Sequence, residues 1–182
     1  MTEDSVLVQR FKKGDPEAFE MLVKKYQNIA VNIAYSFTRN RMDAEDAAQE
    51  SFLKIYGSIN SFRGDSKFSS WLYRIVVNKA YDLLRKRKHT VQLDEISEIS
   101  SETKPSEAEL MKQLISDCLA LIPFQYRSAL TLRDMQGLSY EEIAQVLNIS
   151  VGTVESRIFR GRRMLKEILM KKGVLKDEMQ AI

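Results

Sequence analysis

The chain has 182 residues, room for one ordinary domain or two small ones, which excludes a barrel-sized catalytic scaffold. Apolar residues make up 44% and charged residues 29%, an ordinary water-facing balance, and the net charge of +3 is itself uninformative. Its distribution is not: residues 1–88 carry 16 basic and 11 acidic side chains, 89–109 carry 1 and 6, and 110–182 carry 11 and 8, so two basic segments flank an acidic connector.

A single cysteine, Cys118, and a single histidine, His89, leave no disulfide, no zinc-type cluster and no nucleophile–base pair to expect. No cofactor is expected. No apolar run approaches the ~20 residues that cross a bilayer, and the first residues lack a signal-peptide pattern, so a reduced, cytoplasmic setting is expected, without membrane insertion.

Seven Gly and three Pro punctuate the chain, and apolar residues recur at three- and four-residue spacings. The expected class is all-α: two small helical domains joined by a flexible acidic linker, the second containing a helix-turn-helix. Asp15-Pro16 reads as a cap and first turn of a helix whose stripe is Phe19, Leu22, Val23, Tyr26, Ile29, Ala30, Ile33 and Phe37. Asp43 opens a second helix with Ala47, Ala48, Phe52, Ile55 and Tyr56 inward, and Gly57 to Ser66 reads as a loop. Lys67 to Lys88 is helical again. Residues 89–107 lose periodicity and are rich in Ser, Glu and Thr, as a linker should be.

Beyond the linker, Leu110, Leu114, Cys118, Leu121 and Ile122 mark a helix, and a further one runs from Pro123 to Gln136, stopped by Gly137. Ser139 and Glu142 form a capping-box pair opening a short helix. Asn148-Ile149-Ser150 is a tight turn, and Ser150 caps a helix with Val154, Ile158, Leu165, Ile168 and Leu169 inward. On the other side lie Glu155, Ser156, Phe159, Arg160 and Arg163. Two capped helices across a three-residue turn, with Arg concentrated on the second, point to a helix-turn-helix that reads duplex DNA; a solvated αα-hairpin is the plainer alternative.

Three patterns in the first half carry chemistry. Asp46, Gln49 and Glu50 share one helical face, an acidic stripe fit to dock on a basic protein partner; simple solvated surface is the alternative, and a di-metal carboxylate site would need a partnering His that is absent. From Asn60 to Lys88, Phe62, Phe68, Trp71 and Tyr73 alternate with Arg63, Lys67, Arg74, Lys79 and Arg85, a mixture that can stack unpaired bases or equally serve as core. Asn78 on the basic face can hydrogen-bond a base edge or be ordinary surface.

Four segments, DAEDAAQESFLKIY at 43–56, FRGDSKFSSWLYRIVVNKAYDLLRKRK at 62–88, LTLRDMQGLSYEEIAQVLNIS at 130–150 and VGTVESRIFRGRRMLKEIL at 151–169, together resemble an extracytoplasmic-function (group 4) bacterial sigma factor, and they cover nearly the whole chain. The resemblance implies a region 2 domain over 1–88, a flexible linker over 89–107, a region 4 domain over 108–173 and a tail over 174–182. It implies that Asp46, Gln49 and Glu50 bind the clamp coiled coil of core RNA polymerase, and that the second domain touches the polymerase flap. It further implies that Asn60, Phe62, Arg63, Trp71, Arg74, Asn78 and Arg85 engage the minus-10 strand, with one base flipped out. The minus-35 duplex falls to Arg133, Thr153, Glu155, Ser156, Phe159, Arg160 and Arg163. Glu155 departs from the basic residue common in relatives. An anti-sigma factor is an expected partner. The competing readings are a free-standing helix-turn-helix regulator, although nothing in residues 1–88 resembles a receiver or ligand-pocket effector domain, and an all-α hydrolase using the 43–50 carboxylates, which would show metal-dependent activity lost in Glu50→Ala. Cys118 is expected as a small buried hydrophobe, and His89 at the surface.

Overall fold

The computed structural model describes residues 2–90 and 106–174; the centre of the acidic connector and the tail from 175 lie outside the described residues. Among the described residues every regular element is helical. In chain order they are α1 (Glu3–Lys12), α2 (Pro16–Thr38), α3 (Arg41–Ser58), a 3-10 turn (Ile59–Ser61) and α4 (Phe68–Thr90). After the connector come α5 (Glu107–Ala120), α6 (Phe124–Leu130), a π turn (Thr131–Met135), α7 (Tyr140–Leu147) and α8 (Val151–Lys171).

In the first domain α2, α3 and α4 pack against one another around Leu22, Ala30, Ile33, Ala48, Phe52, Ile55, Leu72 and Val76, all buried. The expected α2 start holds: the Asp15 carboxylate accepts from the Glu17 amide at 3.1 Å, and Pro16 sits where no amide is needed. Arg39 ends α2 in a left-handed conformation at φ 56°, turning the chain into α3.

Four features of the first domain differ from the sequence reading. A separate helix, α1, precedes α2, with Leu7 and Val8 buried; its Asp4 accepts from the Tyr26 hydroxyl at 2.5 Å and its Glu3 pairs with Lys25 at 2.7 Å. The α3 cap is Asn40, whose side chain accepts from the Asp43 amide at 3.0 Å, so the helix begins before Asp43. Gly57 lies inside α3 rather than opening a loop, because helical backbone needs nothing from Gly, and the chain continues through the 3-10 turn; the irregular segment shrinks to 62–67. Tyr56 is 55% exposed instead of inward, its ring lying against Phe11 and Phe19.

In the second domain α6, α7 and α8 enclose Leu130, Leu132, Ile143, Val146, Val154 and Ile158. The capping box at Ser139 is complete: the Glu142 amide donates to its hydroxyl at 3.2 Å, and its own amide donates to the Glu142 carboxylate at 2.9 Å. Asn148, left-handed at φ 53°, makes the turn, and the Ser150 hydroxyl accepts from the Thr153 amide at 3.2 Å to start α8. Cys118 is fully buried, as expected, whereas Leu110 and Leu121 of the same apolar row stand 56% and 64% exposed. The two domains touch. Phe124 of α6 lies 5.2 Å from the Phe37 ring and 4.3 Å from that of Tyr81, and α7 packs along α4.

Candidate nucleic-acid and protein interfaces

The exposed face of α3 follows from helical spacing. Ala44, Ala47, Ala48 and Ser51 are buried against the bundle, which leaves Asp46, Gln49 and Glu50 in water. Glu50 pairs with Lys79 of α4 at 2.7 Å, and that hydrogen bond holds its carboxyl below the ordinary carboxylate range. The stripe is longer than the acidic residues alone. Met42 and Leu53, 68% and 66% exposed, stand four residues outside Asp46 and Gln49, so the row 42, 46, 49, 53 sets two polar groups between two apolar ones on one face. The sequence reading missed these two; their spacing was the available signal. An exposed apolar pair framing an acidic centre suits a protein partner better than nucleic acid.

The aromatic segment resolves into core and rim. Phe68 and Tyr73 are 3% and 8% exposed and belong to the core. Phe62, 8% exposed, sits with its ring 5.1 Å from that of half-buried Trp71 and 6.0 Å from that of Phe68, and its carbonyl accepts from Lys12 at 2.5 Å. This cluster pins the 62–67 segment. Asn60, Arg63, Asn78 and Arg85 are exposed. Arg74 is half-buried, and its Nε donates to the Gln145 carbonyl of α7 at 2.9 Å. Asn60, Arg63, Trp71, Arg74, Asn78 and Arg85 therefore follow a rim from the 3-10 turn down α4, while Phe62 lies beneath it in the core.

On α8, burial of Val154, Ile158 and Gly161 turns Glu155, Ser156, Phe159, Arg160 and Arg163 outward. Phe159 is 68% exposed, a large apolar side chain projecting from an otherwise polar, basic face. Arg163 lies 3.8 Å from Glu167 and Arg160 is exposed, so neither is tied to the protein interior. Thr153 and Arg133 are placed differently. The Thr153 hydroxyl is 2.8 Å from that of Ser150 at the helix start. Arg133 donates to the Leu138 carbonyl at 2.8 Å and lies over the Tyr140 ring at 5.3 Å, bracing the turn before α7. Arg162, which the sequence alone could not separate from its neighbours, is held by Asp134 at 2.6 Å.

Among the described residues no group of three or more His, Cys, Asp or Glu could hold a metal ion, and no helix is long and apolar enough to cross a membrane.

Comparison with known proteins gives a single result. Residues 22–90 match the family model described as Sigma-70 region 2, and residues 112–165 match that described as Sigma-70, region 4. The RNA polymerase sigma-H factor of Pseudomonas aeruginosa is 37% identical over 181 residues, covering 92% of this chain and 94% of that one. The ECF RNA polymerase sigma-E factor of Salmonella typhimurium is 40% identical over 176 residues, covering 89% and 92%. Among solved structures, CnrH in complex with the cytosolic domain of CnrY is similar with a TM-score of 0.74 and 28% identity, over 92% of this chain and 97% of that one. The sigma factor RpoE of Bartonella quintana, in complex with the anti-sigma factor NepR, has a TM-score of 0.67 and 25% identity, over 84% and 96%. The chain therefore belongs to the extracytoplasmic-function sigma factors of the sigma-70 family, initiation factors without an active site that bind core RNA polymerase and direct it to promoter DNA.

Proposed function

We propose that this chain divides the work of promoter recognition between residues 1–88, which dock on the polymerase clamp and capture the minus-10 strand, and residues 108–173, which read the minus-35 duplex and meet the flap. Residues 89–107 connect them and 174–182 form the tail. The observation that carries this reading is the outward face of α8, where Glu155, Ser156, Phe159 and Arg160 project from the start of a capped helix over a buried Val154–Ile158 seam. A helix presented in this way enters a major groove, where Arg reads guanine, Glu accepts from cytosine N4 and an apolar ring meets a thymine methyl. Thr153 and Arg133 serve this face from behind, by capping and bracing.

On α3, Asp46, Gln49 and Glu50, framed by Met42 and Leu53, bind the clamp coiled coil. On the rim of α4, Arg63, Arg74, Asn78 and Arg85 hold the backbone and edges of the melted strand, while Phe62 and Trp71 wall the place where an extruded base stacks at Asn60. Extrusion costs a few kcal/mol, which stacking and hydrogen bonds offset. The protein acts in the cytoplasm, where polymerase and chromosome are. An anti-sigma factor holds it inactive, a reading supported by two similar structures, one solved with the anti-sigma factor NepR and the other with the cytosolic domain of CnrY.

The test is reconstitution. Added to core polymerase on fragmented genomic DNA, the protein should start transcripts at a defined promoter set. Asp46→Ala or Glu50→Arg should weaken core binding, while Arg160→Ala should spare it and lose upstream recognition by about 1–3 kcal/mol, the worth of one base-reading pair. Failure to bind core, or equal loss of both activities in all three variants, would sink the assignment of roles.

A further inference from the structure

The α4 rim is not open. Lys67 at its head pairs with Glu142 of α7 at 2.7 Å, and Arg74, about two turns further along the same face, donates to the Gln145 carbonyl. Glu141 and Glu142, with Ser139 and Gln145, form one wall of a cleft whose other wall is Phe62, Gly64, Lys67 and Phe68. Two cations of the strand-binding rim are thus engaged by a carboxylate and a carbonyl, the same acceptor chemistry that phosphates offer. Phosphates entering that cleft would meet Glu141 and Glu142 of α7 in addition to Asp4 and Asp65 of the first domain.

The contact is anchored away from either DNA-reading face. Arg39 at the end of α2 pairs with Asp117 of α5, and the Phe124 ring lies between Phe37 and Tyr81. Arg127 sits 5.8 Å over the Phe37 ring. Phe37 is only 1% exposed, so the second domain covers apolar surface that the first would otherwise show to water. The α8 face, by contrast, is uncovered, with Phe159 68% exposed.

Resting on the assignment of the α4 rim to the minus-10 strand, we propose that the chain closes on itself: region 4 docks through α6 and α7 onto region 2 and occupies the minus-10 rim, while the minus-35 face of α8 stays open. The closed form can meet upstream duplex but cannot take the melted strand until α7 leaves α4. Anion for anion, the strand and α7 compete for Lys67 and Arg74.

The experiment uses the full chain and reads shape and DNA binding separately. By X-ray scattering the wild-type chain should have a radius of gyration near the ~16 Å of a compact protein of this length. Asp117→Asn with Phe124→Ser, which touches neither DNA face, should enlarge it. A fluorescent single-stranded 20-mer of randomised sequence serves as the probe. The opened variant should bind it more tightly, with a salt slope steeper by about 1.4, since each of two freed cations adds roughly 0.7. Adding Lys67→Ala and Arg74→Ala should cancel the gain. Should Asp117→Asn/Phe124→Ser misfold, raising salt on the wild type should still expand it, as the ion pairs weaken. A wild-type radius well above ~20 Å overturns closure and leaves the strand assignment standing. Expansion with no gain in probe binding overturns the masking. A gain that survives Lys67→Ala/Arg74→Ala also overturns it, and with it the placing of the strand on this rim.

Discussion

Gly161 of α8 sets how closely the duplex-reading helix lies on α6. A Cβ at this position would stand 2.8 Å from Leu130 Cδ1, 3.0 Å from its Cγ and 3.4 Å from Tyr126 Cβ. Carbon atoms settle at about 3.5–4.0 Å, so Leu130 or the helix must move by roughly 0.7 Å, and Leu130, 2% exposed, is enclosed on all sides. Replacing a mid-helix Gly by Ala gains about 1 kcal/mol of propensity, whereas overpacking costs about 1–3 kcal/mol. Gly161→Ala should therefore end between neutral and ~2 kcal/mol destabilising, and Gly161→Val, with two further methyl carbons in the same gap, worse. Gly152 supplies the internal control: it lies in the same helix with nothing within 4 Å of its Cβ position, so Gly152→Ala should stabilise by a few tenths of a kcal/mol or more. Hydrogen exchange at α6 and α8 amides reads the local stability without assuming that the two domains unfold together. Leu130→Ala should relieve the clash, giving a coupling of about 1–2 kcal/mol with Gly161→Ala. If Gly161→Ala stabilises as much as Gly152→Ala and shows no coupling to Leu130, close packing is not why the residue is Gly.

Three further outcomes are expected. Glu155→Arg should change base preference at one or two upstream positions in a randomised promoter library, because a carboxylate accepts from cytosine N4 and a guanidinium donates to guanine; unchanged selectivity would falsify a base-reading role for this exposed residue. Glu142's carboxyl is held below its ordinary value of 4.5, first by the Lys67 hydrogen bond and then by the Ser139 amide. Its stabilising contribution is whole above pH ~4.5 and disappears as pH falls through the lower folded value, so the domain contact should loosen on acidification below ~4.5 in wild type, and Glu142→Gln should flatten that part of the profile. Tyr26→Phe should lower stability by about 1.5–3 kcal/mol, since its buried hydroxyl donates to the charged Asp4 at 2.5 Å; a melting temperature unchanged to within a degree would show that Asp4 finds an equal donor elsewhere. Burial, and then Asp4, raise the Tyr26 pKa, so this donor persists throughout the ordinary pH range.

Much of the molecule was legible in local pattern. Asp15-Pro16, Ser139-x-x-Glu142 and Ser150 each announce a helix start, because a side-chain oxygen three or fewer residues from an unpaired amide is a purely local interaction. The same holds for the outward α8 face and the acidic α3 stripe, both of which follow from a 3.6-residue period. Local pattern fails where the partner is distant. The α3 cap at Asn40 is itself local, its side chain accepting from the Asp43 amide three residues on, but α1 buries only Leu7 and Val8, too few to make a stripe, and is fixed by Lys25 and Tyr26 of α2, more than 20 residues away. Tyr56 lies at an apolar position by spacing, yet it ends half in water against Phe11 and Phe19.

The sites divide in the same way. Residue type and spacing were enough to nominate Arg74 and Arg160 alike, both Arg on helical positions of basic faces, and the family resemblance added Arg133. Only packing distinguishes them: Arg133 spends its donors on the Leu138 carbonyl, Arg74 on the Gln145 carbonyl, and Arg160 remains exposed. Periodicity likewise could not sort Phe68 and Tyr73, which are core, from Trp71, which is rim, because an aromatic ring satisfies either environment. What the sequence determined by itself was most of the helices, the caps at Asp15, Ser139 and Ser150 and the apolar faces of α2, α7 and α8, all interactions within a few residues. The placing of α7 along α4 was decided by the tertiary structure alone, through Lys67–Glu142, Arg39–Asp117 and the Phe37–Phe124 stack, pairs separated by 75 residues or more along the chain, for which no local signal exists.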